Sequence, residues 1–197
     1  YGERRIIEGF SAEIARSSIT AITGRNGVGK STLLAALAGD LVPVVGSIRI
    51  DNRLLGDFSL RELSKVRALA QQSHPYWMAF TTHEILELGF TDIAPERKLM
   101  LIEELGLSGF LEQPITSLSG GQLQRVEIAR SLMREVPLVL LDEPFASQDL
   151  SSIARLKKLM IAERDQGRTF VIVTHSREDD LTWCDQVINL DATKPAQ

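Results

Sequence analysis

Gly24-Arg25-Asn26-Gly27-Val28-Gly29-Lys30-Ser31 is the stretch that decides the fold. It fits the pattern G-x-x-x-x-G-K-S/T, and its flanks give the pattern meaning. Before it, Ile19 to Thr23 is a short β-rich run that ends abruptly at Gly24. After it, Leu33, Leu34 and Leu37 share one helical face from Lys30 onward, with Gly39 as the stop. The glycines let backbone N–H groups converge on phosphate oxygens with no Cβ in the way. A helix starting at Lys30 aims its positive end at those phosphates. Lys30 is suited to bridge β- and γ-phosphate oxygens, and Ser31 to offer its hydroxyl to Mg2+. An ordinary glycine-rich turn is the competing reading, and the strand-loop-helix context argues against it. The motif implies a nucleoside triphosphate and says nothing of what its hydrolysis drives.

Farther along, Leu138 to Leu141 is a continuous apolar run, typical of a strand buried on both faces. It ends in Asp142 and Glu143. Side chains alternate along a strand, so the two carboxylates leave in different directions. One can hold Mg2+, directly or through water, while the other orients and deprotonates an attacking water. Thr169 to Thr174 and Val187 to Leu190 read as further strands, with a helix predicted from about Leu150 to Arg164. Strands alternating with helices at both ends predict a parallel α/β core. Phe10, Ala12 and Ile14 alternate with polar residues, and Ser47 to Asp51 alternates too. Both are expected to be strands of a small antiparallel layer.

From about Ser59 to Arg134 the pattern is mostly helical. Thr81 and Glu84 form a capping box, Pro95 suits an early helical position and Gly106 a terminator. Ser119 is a candidate cap for a helix carrying Leu123, Val126, Ala129, Leu132 and Met133. Residues 73–134 are therefore expected to form an inserted helical lobe, with 1–72 and 135–197 as the α/β core. The whole is read as one domain.

Composition narrows the class. The chain has 197 residues, 22 Lys and Arg against 26 Asp and Glu, a net charge of −4 and one Cys. That length supports one ordinary domain. The mildly acidic balance gives no global basic footprint for nucleic acid. Cys184 alone builds neither a disulfide framework nor a structural zinc site. It is expected to pack near Trp183 as a small apolar residue. No apolar run approaches a membrane span, and Tyr1-Gly2-Glu3-Arg4-Arg5 lacks the apolar core of a signal peptide. A cytosolic, reducing location is the simplest expectation.

Leu118-Ser119-Gly120-Gly121-Gln122 is a second glycine-rich helix start, and so a second phosphate-facing site. With this motif in place, the sequence resembles the nucleotide-binding domain of an ABC transporter over nearly its whole length. Gly24 to Thr32 resembles that family's Walker A, Leu118 to Gln122 its signature, and Leu138 to Glu143 its Walker B. Glu143 to Asp149 resembles the Walker B exit and D-loop. There Asp149 keeps its place, while Phe145, Ala146, Ser147 and Gln148 depart from the commonest residues. Val173-Thr174-His175 resembles the H-loop, and Arg67 to Gln72 the Q-loop, where Gln72 fits better than Gln71. Tyr1 to Ile6 resembles the segment whose tyrosine stacks on adenine.

The resemblance implies a head-to-tail dimer around two MgATP. Tyr1, Gly24, Asn26, Gly27, Gly29, Lys30, Ser31 and Thr32 would bind the chain's own nucleotide. Ser119, Gly120, Gly121 and Gln122 would serve the partner's, and Asp149 is a further nucleotide-binding candidate. Glu143 would be the general base, His175 would hold the γ-phosphate, and Lys30 and Gln72 would complete the catalytic set. Ser31, Gln72 and Asp142 would ligate Mg2+. The implied partners are a second ATP-binding subunit and a separate transmembrane permease, with the chain peripheral at the cytoplasmic face of the membrane. Tyr76, Trp77 and Phe80 are candidates for a permease-facing socket or for internal packing. Residues 46–69 lean toward subunits that import iron chelates, haem or cobalamin. The alternatives are a non-transport ABC ATPase of DNA repair or translation, and a P-loop kinase, which the signature argues against. Against the family, edge strands before Tyr1 and after Leu190 would be expected, so the adenine end is expected to be the least ordered part.

Overall fold

β1 (Ile19–Thr23) is buried at every position, as a strand covered on both faces must be. The computed structural model, which describes residues 6–71, 76, 78, 80–89 and 93–193, places β1 inside a five-stranded sheet. The other strands are β4 (Arg67–Ala70), β5 (Leu138–Asp142), β6 (Thr169–Val173) and β7 (Gln186–Asn189). Their order is β4-β5-β6-β1-β7, and every neighbouring pair is parallel. A separate antiparallel hairpin joins β2 (Arg49–Ile50) to β3 (Arg53–Leu54). The fold is the α/β P-loop class expected from the sequence.

Alternation along the strands divides the core into two layers. Ile22, Leu140, Val171 and Val173 face α1 (Lys30–Ala38) through Leu33, Leu34 and Ala38. Ile19, Ala21, Val139, Leu141, Phe170 and Ile172 face the other way. There they join one continuous cluster with residues of α3 (Thr82–Glu87), α4 (Pro95–Glu104), α5 (Gly120–Met133) and α6 (Leu150–Asp165). The remaining α-helix, α2 (Leu60–Val66), buries only Leu63; in chain order it precedes β4.

Two expectations fail. Arg67–Ala70 is a strand, not part of a helical stretch: parallel pairing with Leu138–Leu141 overrides the helical preference of a short Ala-rich segment. Phe10 to Ile14 forms no strand; Phe10 and Ile14 pack against the α1-side cluster, but among the described residues no neighbouring strand supplies a ladder. The antiparallel layer is correspondingly small, and the Ser47–Asp51 strand shrinks to Arg49–Ile50. Its turn residues, Asp51 and Asn52, both have positive φ, the backbone of a tight hairpin.

One buried carboxylate gathers three helices. Glu163 on α6, 2% exposed, receives both guanidinium nitrogens of Arg97 on α4, at 2.7 and 3.0 Å, and pairs with Arg168 at 3.1 Å. Both arginines also donate to the carbonyl of Leu132 near the end of α5, and Arg168 to that of Arg134. Glu163→Ala would leave two guanidiniums buried without their shared counter-charge. The expected cost is about 3–5 kcal/mol, read as a lower denaturant midpoint at unchanged slope.

Candidate functional site

The parallel registers bring three strand ends together. Asp142 pairs with Val173, the Glu143 N–H donates to Val173 O at 3.0 Å, and the Thr174 N–H donates to Ile22 O at 3.1 Å. The phosphate loop, the acidic pair and His175 therefore leave the same edge of the sheet side by side, where ligands bind in open α/β sheets. Gly29, the cap of α1, has φ +111, and a Cβ there would lie 2.7 Å from Ile6 Cγ2. Both backbone and space require glycine.

Lys30 is 6% exposed. Its ammonium donates to Gly24 O at 2.9 Å and Arg25 O at 3.3 Å, and lies 3.3 Å from His175 Nδ1. An ammonium has no acceptor, so this contact makes Nδ1 the bare nitrogen and puts the imidazole proton on Nε2. Nε2 lies 2.9 Å from Glu143 Oε1. Oε1 is buried and, among the described residues, takes no properly directed hydrogen bond, so the approach to Nε2 is electrostatic. Glu143 has φ +50, an uncommon backbone for a residue with a Cβ, costing on the order of 1–3 kcal/mol.

Burial pushes the carboxyls of both Asp142 and Glu143 above their ordinary range. The Ser31 hydroxyl, Lys30 and His175 partly offset this for Asp142. For Glu143, His175 and Lys30 oppose it, while the Asp142 charge adds to it. Ser31 Oγ donates to Asp142 Oδ1 at 3.4 Å. This oxygen pair suits a small hard cation that takes its remaining ligands from phosphate and water. Among the described residues no cluster of three or more His, Cys, Asp or Glu could hold a metal by itself. Thr23 Oγ1, at the end of β1, is buried without a partner among the described residues.

The signature residues form the start of α5. Ser119 Oγ accepts from Gln122 N–H, and Gln122 Oε1 accepts from Ser119 N–H at 2.8 Å, a reciprocal cap. A Cβ on Gly121 would sit 2.3 Å from Ser147 O, so α5 butts directly against the loop that leaves Glu143. Gln124, buried, donates to Asp142 O at 3.2 Å. The sequence reading missed this residue; nothing in its type sets it apart from an exposed glutamine. Asp149 caps α6: Oδ1 accepts from Ser152 N–H and Ser151 Oγ, Oδ2 from Ser152 Oγ. The hydroxyl of Ser151 leads in holding its carboxyl well below the usual range. An aspartate directly before a helix was the available signal.

Lys30, Ser31, Asp142, Glu143 and His175 thus converge. Asn26 and Gly27 lie exposed in the loop, and Thr32 follows on α1. Ser119 and Gly120 are exposed, on a surface their own cap organises. Tyr1, Gln72, His74 and Trp77 lie outside the described residues. Gln71 follows β4 directly, one step past the Ala70–Leu141 pair. Tyr76 packs inward: its hydroxyl donates to Glu127, receives from Arg130 at 3.1 Å, and is pushed up to about 12, chiefly by burial. Phe80 also packs against the main core. His83 sits at the surface of α3 beside Glu87 and Lys98. Cys184 packs with Trp183 against that core, its thiol pushed up to about 12 by burial.

Comparison with known proteins gives the same picture. The family described as ABC transporter matches residues 7–146. The chain is 30% identical to the hemin import ATP-binding protein HmuV of Rhodococcus jostii, over 99% of this chain and 70% of that protein. It is 32% identical to the iron(3+)-hydroxamate import ATP-binding protein FhuC of Bacillus subtilis, over 89% and 69%. A solved ATP-binding subunit of an ABC transporter superposes with a TM-score of 0.85 at 27% identity, covering 96% of this chain and 81% of that one.

The raised carboxyls carry a stability consequence. Asp142 and Glu143 hold protons more tightly in the folded than in the unfolded chain. Their contribution is full below the unfolded carboxylate range, about pH 4, and is lost as pH rises through the folded values. Glu143→Gln removes one such charge. That variant is expected to melt above the wild type at pH 7, with the gap closing as pH falls toward about 4. A gap that does not vary with pH would contradict burial as the cause.

Proposed function

From the premise that this chain belongs to the ABC transporter family, and is an ATP hydrolase, we propose that it is the ATP-binding subunit of an importer. Two copies meet head to tail, each MgATP lying between one copy's phosphate loop and the Ser119–Gln122 surface of the other. A separate transmembrane permease carries the cargo, and the chain sits peripherally at the cytoplasmic face. No helix among the described residues is long and apolar enough to cross a membrane. Both named relatives are import subunits, one for hemin and one for an iron hydroxamate, which favours transport over DNA repair or translation. An iron chelate, haem or cobalamin is the cargo class this supports. Residues 73–134 are the lobe that would meet the permease.

The observation that carries the mechanism is the convergence of Lys30, Glu143 and His175 at one sheet edge. Glu143 accepts the proton of the attacking water. Its exclusion from solvent raises its basicity, and its Oε1 takes no directed hydrogen bond among the described residues. His175 presents Nε2–H toward the transferring phosphoryl oxygens. Lys30 supplies the fixed positive charge, and Tyr1 a face for the adenine. Ser31 and Asp142, with Gln72, would hold Mg2+, whose charge offsets that building on the phosphate oxygens. Asn26, Gly27, Gly29 and Thr32 line the loop's approach to the phosphates.

Glu143→Gln should retain MgATP binding, slow hydrolysis by about 10²–10⁴ and accumulate a dimer. Sedimentation of that variant with and without MgATP reads the dimer. Turnover at the wild-type rate would remove Glu143 from the role of base. Lys30→Ala should instead weaken nucleotide binding itself.

A further inference from the structure

The Gly24–Arg25 peptide is held from both sides. Its carbonyl accepts from Lys30 Nζ at 2.9 Å, and its N–H donates to Asp191 Oδ2 at 2.7 Å. A trans peptide is planar and its C=O and N–H point in opposite directions. Whatever fixes the N–H therefore fixes where the carbonyl points. We propose that Asp191 is a positioning residue for Lys30, acting through this one peptide unit: it pulls the Arg25 N–H outward and so turns the Gly24 carbonyl inward, onto the ammonium.

Asp191 is itself held in place. It lies in the 3-10 turn Leu190–Thr193 that follows β7, and β7 pairs with β1 through Thr23 and Asn189. The Asp191 N–H donates to Asn189 Oδ1 at 2.9 Å, and Asn189 Nδ2 donates to Glu178 Oε1 at 3.0 Å. Glu178 opens the short turn after His175. A run of hydrogen bonds thus joins the segment behind His175, the end of β7 and the first amide of the phosphate loop. The Arg25 guanidinium also approaches Asp191 Oδ1, at 3.3 Å, but its side chain is 70% exposed, where an ion pair contributes little. The charge-assisted bond to the backbone amide is the stronger link. Gly24 suits this arrangement: its φ of +140 favours glycine, and a Cβ there would lie 3.0 Å from Val28 Cγ1 and 3.5 Å from Asp191 Oδ2.

This inference rests on the nucleotide-site reading, and its test separates the two. MgATP affinity, kcat at saturation, melting temperature and exchange of the Arg25 amide are measured for wild type, Asp191→Ala and Asp191→Asn. Asparagine keeps an acceptor for the amide and loses the charge. Asp191→Ala is expected to bind MgATP about tenfold more weakly with kcat within about twofold, since one charge-assisted bond that preorganises the loop is lost. Its Arg25 amide should exchange at least about tenfold faster. Asp191→Asn should recover to within about threefold of wild type, because its oxygen still accepts. Wild-type affinity in Asp191→Ala overturns the proposal. So does an Asp191→Asn chain as weak as Asp191→Ala, since the guanidinium pair would then be what matters. Where Asp191→Ala does not fold, rapid exchange of the Arg25 amide in the wild type overturns it equally. A wild-type chain that binds no MgATP overturns the nucleotide reading and this proposal with it, an outcome distinct from normal wild-type binding that Asp191→Ala leaves untouched.

Discussion

Parallel registration of β1, β6 and β5 is the constraint on which the rest of the structure depends. The phosphate loop is about 115 residues of chain away from Asp142, and His175 is farther still. They meet because Ile22 pairs with Val173 and Asp142 pairs with Val173, so all three strands end level. A shift of one residue in either ladder would send core side chains to the wrong face. It would also separate Lys30 from His175. The apolar layers that fix the register therefore also fix where these groups meet.

The site concentrates charge that burial disfavours. Asp142 and Glu143 lie next to one another, desolvated, with the Lys30 ammonium and the His175 imidazole beside them. Such a set gives a low-dielectric, preorganised field in which each charge acts more strongly than it would in water. The left-handed backbone of Glu143 belongs to the same arrangement. It turns the chain sharply off β5 so that the loop can reach Gly121, and the signature helix then leans back on Asp142 through Gln124. The acidic strand end and the Ser119–Gln122 surface are thereby one packed unit.

What could be read in the sequence was what local chemistry determines. Gly24 to Ser31, the Thr81–Glu84 box, the cap at Ser119 and the apolar run into Asp142 each announce themselves within a few residues. What could not be read depended on distant partners. Arg67–Ala70 carries no strand signal of its own, and becomes one because β5 offers an open edge. Phe10 to Ile14 carries the alternation of a strand and has no strand neighbour among the described residues. Gln124 and Asp191 are ordinary polar residues until the fold brings a carbonyl or an amide to them. The indispensability of Gly121 comes from Ser147, which lies beyond the whole of α5 and β5 in the chain.

The ammonium of Lys30 has three protons and, in this structure, three acceptors: two carbonyls and an imidazole nitrogen. It is fully subscribed. A phosphate that reaches it cannot simply add a contact; it has to displace one. The two contacts at 3.3 Å, to Arg25 O and His175 Nδ1, are the weaker and yield first, while the 2.9 Å bond to Gly24 O can remain as a tether. Nucleotide capture at this lysine, as proposed above, would thus be an exchange of partners. Its heat should be smaller than the number of new phosphate contacts suggests, and the imidazole it frees becomes available as the phosphate arrives.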